Sequence, residues 1–179
     1  MEKNIVLVGF MGTGKSEVGE LLAKKLGRKF IDTDKLIEER EKDRIARIFQ
    51  VKGEEYFRNL EEKIIEEVSE YKNCVIATGG GALIREKNYL NLKKNGILIC
   101  LTATPEEIYK RTLPKKDRPL LMKSKNVIET IKELLERRKP YYSKADYTID
   151  TTKKKIEDVV DEIIEIVKKE NGENPSKSW

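Results

Sequence analysis

The chain has 179 residues, enough for one domain with a sizeable core, and no composition shift or linker-like stretch divides it. Apolar residues make up 38% and charged ones 39%, and the net charge of +5 is mild and, one local cluster apart, dispersed, which suits anionic small substrates at least as well as nucleic acid. Two cysteines make no disulfide framework, no apolar stretch is long enough to span a bilayer, and the N-terminus runs straight into an apolar strand, so the expectation is a cytoplasmic protein with no membrane or nucleic-acid partner.

The first predicted element is a β-branched apolar strand over residues 4–8. Directly after it, Gly9-Phe10-Met11-Gly12-Thr13-Gly14-Lys15-Ser16 fits G-x-x-x-x-G-K-[ST], the loop that wraps nucleotide phosphates. Glycines let backbone N–H groups turn inward around the phosphates, Lys15 places a point charge on the β/γ oxygens, and Ser16 offers a hydroxyl to Mg²⁺. A helical pattern (Val18, Leu21, Leu22, Leu26) follows and closes at Gly27. An ordinary glycine-rich turn would not need Lys-Ser after its last glycine, so the loop points to a nucleotide-binding protein.

The second strand, residues 29–31, runs into Asp32-Thr33-Asp34. In extended chain these two carboxylates share one face at a strand's carboxyl end, where one suits a magnesium shell and the other a substrate hydroxyl. The plainer alternative makes Asp34 the N-cap of a helix over residues 35–40. Further on, Gly53-Glu54-Glu55-Tyr56-Phe57-Arg58-Asn59-Leu60-Glu61 places Arg58 and Glu61 at i, i+3. They form either a surface ion pair or, with Gly53 and the aromatics, a turn that packs and aims Arg58. Leu60, Ile64, Ile65 and Val68 continue that helix as an apolar stripe.

The third strand, residues 74–77, ends at Gly79-Gly80-Gly81. Three glycines there cost backbone entropy and suit a loop that passes close to a ligand; a merely flexible loop is the alternative. Cys74 in this strand, and Cys100 in the fourth strand over residues 97–101, fit small core residues. Residues 111–121 then form a cation-rich excursion in which Arg111, Lys115, Lys116 and Arg118 face the single acid Asp117. It reads as a lid whose Arg118 reaches the transferring phosphoryl group, or as a solvated loop.

A helix with Ile131, Leu134 and Leu135 ends in Arg137-Arg138-Lys139-Pro140-Tyr141-Tyr142. A fifth strand covers residues 147–149, and a last helix carries Ile156, Val159, Val160, Ile163, Ile164 and Val167. Strands alternating with helices argue for an α/β domain whose parallel sheet is covered on both faces and carries its site at the strands' carboxyl ends.

Taken in order, GFMGTGKS, DTD, GEEYFRNLE, ATGGG, DRPLL and R-x-P-x-Y (Arg138 to Tyr142) resemble the shikimate kinase family over about residues 3–150. The resemblance implies a P-loop kinase fold of the nucleoside monophosphate kinase type, with a central five-stranded parallel sheet flanked by helices. It also implies a lid, at about 112–125 of a single domain over residues 1–169; the polar stretch 170–179, with Gly172 and Pro175, reads as a flexible tail, and a monomer is expected. The implied reaction is Mg²⁺-dependent transfer of the ATP γ-phosphate to the 3-hydroxyl of shikimate, in the chorismate route to aromatic amino acids. Gly12, Thr13, Gly14, Lys15, Ser16 and Glu17 are then expected on the ATP phosphates, Ser16 and Asp32 on one magnesium ion, and Asp34 on the shikimate hydroxyls. Arg58 and Arg138 are expected on the shikimate carboxylate, with Glu61 holding Arg58, and Gly79, Gly80 and Gly81 present backbone N–H groups. Arg118 reaches the phosphates, Arg111 lies against the adenine, and Lys153 stands where an adenine contact is expected. Lys15, Asp34 and Arg118 form the catalytic set.

Three positions depart from the family pattern. Glu17 replaces the usual Thr, Lys42-Asp43-Arg44-Ile45 replaces Gly-x-Ser-Ile, and Thr151-Thr152-Lys153 replaces the usual Arg or Pro region. A gluconate-kinase-like enzyme of the same fold would share the phosphate loop but should not need two arginines placed for one carboxylate together with the Asp32-Thr33-Asp34 pair of carboxylates. A nucleic-acid-binding nucleotide switch would need a basic stripe with interleaved aromatics, which the sequence lacks.

Overall fold

In the computed structural model, which describes residues 2–113 and 126–172, five strands form one parallel sheet in the order β2-β3-β1-β4-β5. The strands are β1 (Asn4–Gly9), β2 (Lys29–Asp32), β3 (Cys74–Ala77), β4 (Gly96–Thr102) and β5 (Tyr147–Asp150). The helices are α1 (Lys15–Leu26), α2 (Thr33–Glu41), α3 (Ile45–Lys52), α4 (Glu54–Ser69), α5 (Glu86–Lys94), α6 (Pro105–Thr112), α7 (Val127–Tyr142) and α8 (Ile156–Glu170), with a 3₁₀ turn at Ala82–Ile84. All five strands and the predicted helices are present. Helices α3, α5 and α6 had no counterpart in the apolar pattern, because each runs only two to three turns with few buried residues.

Alternation along the central strands makes two cores. Val6, Val8, Ile76, Leu98 and Cys100 pack on one face with Ile64, Ile65 and Val68 of α4 and Leu92 of α5. Ile5, Leu7, Val75, Ile99 and Leu101 pack on the other with α1 and α8. Cys74 and Cys100 are free and buried, as expected of core residues. Among the described residues, no helix is long and apolar enough to cross a membrane.

The connections after β1 and β3 diverge, the first toward β2 and the second toward β4. A crevice therefore opens at the carboxyl ends of these adjacent strands, between the loop after β1 and the glycines after β3. Gly9, with φ 131°, ends β1 so close to β4 that a Cβ there would lie 2.3 Å from the Leu101 carbonyl oxygen.

Two expectations need correction. The cap of α2 is Asp32, one residue before the helix, whose Oδ1 accepts from the N–H groups of Asp34 (3.1 Å) and Lys35 (3.2 Å). Asp34 itself lies in the first turn, because the chain leaves the extended conformation immediately after Asp32. At the other end, α8 runs through Glu170, so the last helix takes in a residue counted with the tail; residues 173–179 lie outside those described.

The departure at residues 42–45 has a local cost. Lys42 adopts φ 53°, the left-handed region that glycine enters freely. Arg44 occupies the N-cap of α3 without a side-chain cap. Glu38 compensates, its Oε2 accepting from the Ile45 N–H at 3.1 Å. Lys42→Gly should therefore stabilise the fold by about 1 kcal/mol, raising Tm by roughly 2–4 °C. An unchanged or lowered Tm would show that the left-handed lysine carries no strain.

Candidate active site

The loop between β1 and α1 turns on glycines in the left-handed region, Gly12 at φ 77° and Gly14 at φ 91°. The Lys15 ammonium lies back along this loop, donating to the carbonyl oxygens of Gly9 (2.6 Å) and Phe10 (2.8 Å). Thr13 closes the turn through its hydroxyl on the Phe10 carbonyl at 2.7 Å. At the start of α1 the Ser16 hydroxyl donates to Asp32 Oδ2 at 2.7 Å, so the end of β2 and the phosphate loop share a hydrogen bond. Asp32 thus has one oxygen for the helix cap and one for Ser16.

Across the crevice, the glycine run gathers charge. A Cβ on Gly79 would lie 2.7 Å from Asp34 Oδ1 and 3.0 Å from Glu61 Oε2. One on Gly80 would lie 3.1 Å from Arg138 Nη1, and one on Gly81 would lie 2.4 Å from Arg58 Nη2. The glycines are therefore required by close approach: four ionisable side chains occupy the space where side chains of residues 79–81 would stand.

Arg58 is buried on the first turns of α4, which Gly53 (φ 89°) separates from α3. Its guanidinium donates to Glu61 Oε1 at 2.9 Å and reaches Glu54 at 3.5 Å. The rings of Phe57 (5.3 Å) and Phe49 (6.0 Å) pack against it, a cation–π arrangement that fixes its plane. Glu61 is fully buried, and burial raises its carboxyl above the usual range despite the opposing charges of Arg58 and Arg138. Its Oε2 has no hydrogen-bond partner among the described residues.

Arg138 comes from the last turns of α7 and is 5% exposed, with its guanidinium 5.4 Å from the Phe10 ring. Its Nη1, beside Gly80, likewise has no hydrogen-bond partner among the described residues. One turn later Tyr142, whose phenol burial pushes up to about 12, donates to the Gly80 carbonyl oxygen at 2.6 Å. A buried guanidinium nitrogen left open beside backbone glycines is chemically a receptor for an anion, and the second buried guanidinium, that of Arg58 beside Gly81, makes a pair suited to a carboxylate.

One cavity of about 1610 Å³ joins the two sides. It brings together residues 12–17, Asp32, Asp34, Arg58, Gly79, Gly80, Gly81, Arg111 and Arg138. Arg111, from α6, donates to the Gly12 carbonyl oxygen (3.2 Å) and to Thr151, and pairs with Glu107 at 3.0 Å. Lys153 is exposed and does not line the cavity; Lys154, Ile156 and Val159 do, because Lys153 occupies the left-handed turn at φ 57°. Arg118, and the lid expected at 112–125 beyond Thr112 and Leu113, lie outside the described residues. Sequence reasoning missed Phe49, Tyr142 and Thr151 as supporting residues. Only the aromatic spacing around Gly53 and the final Tyr of R-x-P-x-Y carried any signal for them.

Comparison with known proteins bears on this geometry. The family model described as shikimate kinase matches residues 11–168. A shikimate kinase of Caldanaerobacter subterraneus subsp. tengcongensis is 51% identical over 162 residues, covering 90% of this chain and 94% of the relative. The solved structure of a shikimate kinase from Acinetobacter baumannii in complex with shikimate aligns with a TM-score of 0.91 at 38% identity, covering 95% of each chain. A gluconokinase from Sinorhizobium meliloti, at TM-score 0.60 and 17% identity over 94% of each chain, shares the fold alone.

The buried Glu61 gives a pH-dependent test. A carboxyl whose folded pKa lies above its unfolded value binds more protons in the native state, so stability falls as pH rises above 4.5. Glu61→Gln keeps an acceptor for Arg58 and removes the titration. Its stability relative to the parent chain should therefore grow from pH 4.5 toward neutrality, read from urea melts at each pH. A difference that shrinks instead would mean that the pull of Arg58 outweighs burial.

Proposed function

The chain belongs to the shikimate kinase family, and from that membership we propose how its own residues move the ATP γ-phosphate onto the 3-hydroxyl of shikimate. One observation carries the assignment of residues: two buried arginines from different helices converge on the glycine run, one with an open Nη1, directly across the crevice from the phosphate loop.

ATP phosphates belong in the loop of residues 12–17, where successive N–H groups and the start of α1 favour anions. Lys15, now on loop carbonyls, is within reach of the β/γ oxygens that would replace them. The Ser16–Asp32 pair is the fitting place for Mg²⁺: a hydroxyl and a carboxylate are hard oxygen donors, and they already lie 2.7 Å apart. When bound, the ion supplies charge neutralisation at the phosphates.

The shikimate carboxylate pairs with Arg58 and Arg138, each guanidinium offering two parallel N–H donors. This orients the ring so that a hydroxyl meets Asp34, in the first turn of α2 at the mouth of the crevice. The 3-hydroxyl oxygen attacks the γ-phosphorus as the bond to the ADP oxygen breaks, and the hydroxyl proton passes to Asp34 and on to solvent. Positioning and charge stabilisation supply most of the acceleration, since the transition state is loose.

Asp34→Asn should lower kcat about 100-fold or more while leaving ATP KM nearly unchanged. Arg58→Ala or Arg138→Ala should raise shikimate KM by about 100-fold, each leaving the carboxylate half paired. A coupled ADP-release assay with shikimate as acceptor measures all three. Turnover on gluconate but not shikimate would overturn the acceptor, and parental kcat in Asp34→Asn would remove that residue from the mechanism.

A further inference from the structure

Thr151 directly follows β5, in a stretch where sequence reasoning assigned a role only to Lys153. It is 3% exposed and lines the cavity. Its backbone N–H donates to the Thr102 carbonyl oxygen of β4 at 2.8 Å, which fixes it to the sheet. Its hydroxyl oxygen accepts from Arg111 Nη1 at 3.0 Å, and its carbonyl oxygen accepts from Arg111 Nη2 at 3.0 Å. The hydroxyl has one proton to give, and its oxygen lies between two acceptors, the Thr102 carbonyl oxygen of β4 at 2.9 Å and the Thr13 carbonyl oxygen of the phosphate loop at 3.3 Å. Arg111 Nη1 also reaches the Gly12 carbonyl oxygen at 3.2 Å.

Arg111 therefore holds the Gly12 carbonyl, and the Thr151 hydroxyl, shared between β4 and the loop, bridges the sheet to the next carbonyl, that of Thr13. A trans peptide is planar, with its C=O and N–H on opposite sides. Fixing the Gly12 carbonyl outward fixes the Thr13 N–H on the other side of that plane, and fixing the Thr13 carbonyl does the same for the Gly14 N–H. These N–H groups belong to the part of the loop that cradles phosphate. Arg111 is held in turn by Glu107 and by both oxygens of Thr151, so the brace is anchored in β4, β5 and α6 rather than in the loop itself.

We infer that Thr151 is a positioning residue for nucleotide phosphate: its hydroxyl, directly and through Arg111, holds the loop's amides in their phosphate-binding orientation before ATP arrives. The inference rests on the kinase reading above and adds to it a residue that touches neither phosphate nor acceptor. Preorganisation of this kind lowers the ordering cost of binding, so its loss falls on nucleotide affinity and leaves acceptor affinity alone.

The test uses Thr151→Val, which keeps the shape and removes the hydroxyl, and Thr151→Ser, which restores it. Thr151→Val should raise ATP KM about tenfold with shikimate KM changed less than about twofold, and Thr151→Ser should bring ATP KM back near the parental value. Calorimetry supplies a second reading that needs no turnover: Thr151→Val should weaken ADP and inorganic tripolyphosphate by the same factor. Should Thr151→Val fail to fold, Thr151→Ala carries the same expectations. Parental affinity for tripolyphosphate in the hydroxyl-free variant would overturn the inference, as would a loss confined to ADP, which would place the effect at the base. Absence of shikimate-dependent turnover in the parent chain would instead strike at the acceptor assignment, and the tripolyphosphate measurement would still judge Thr151.

Discussion

A Cβ at residue 79 or 81 would collide with the side chains that surround the end of β3, and one at residue 80 would press on Arg138. At Gly81 the atom would lie 2.4 Å from the Arg58 guanidinium, and at Gly79 it would lie 2.7 Å from the Asp34 carboxylate. This steric exclusion lets Asp34, Arg58, Glu61 and Arg138 approach one stretch of backbone from three helices. Tyr142 then holds that stretch from behind through the Gly80 carbonyl. Remove the space and the charges must retreat into the cores, where they have no partners.

Charges so placed are expensive, and the rest of the molecule bears the cost. Burial raises the Glu61 carboxyl, and Arg138 keeps an open Nη1. Groups buried in this state destabilise the empty protein. Two apolar faces of one parallel sheet offset them, with the three central strands β1, β3 and β4 almost continuously buried. Substrate is the missing partner: a carboxylate would complete the guanidinium groups as phosphate would take the Lys15 ammonium from its loop carbonyls. Buried guanidinium groups on one side of the crevice and the phosphate loop on the other suit selective binding of a small acid beside a phosphorylated nucleotide.

The sheet was legible because its strands are β-branched runs punctuated by glycine and aspartate, and the phosphate loop because few other structures need that spacing. The pairing of Arg58 with Glu61 followed from i, i+3 geometry. Its burial did not, since nothing local says that Phe49, one helix earlier, will pack on the same guanidinium. The cap of α2 fell on Asp32 rather than Asp34 because a one-residue shift at a strand-to-helix junction leaves the same residues in the pattern. Helices α3, α5 and α6 are too short for their stripes to exceed chance. Thr151 gave no signal at all: its role depends on β4, α6 and the phosphate loop meeting in space, and no spacing along the chain encodes that.

The central claim is that Arg58 and Arg138, held against the glycine run, read a carboxylate. Its most direct measurement compares kcat/KM for shikimate and for its neutral carboxamide in the parent chain. The account predicts that the amide loses about 100-fold, almost all of it in KM, because a neutral group leaves buried guanidinium charge unpaired. Equal KM values for acid and amide would contradict it, and would mean that these arginines serve the fold rather than the substrate.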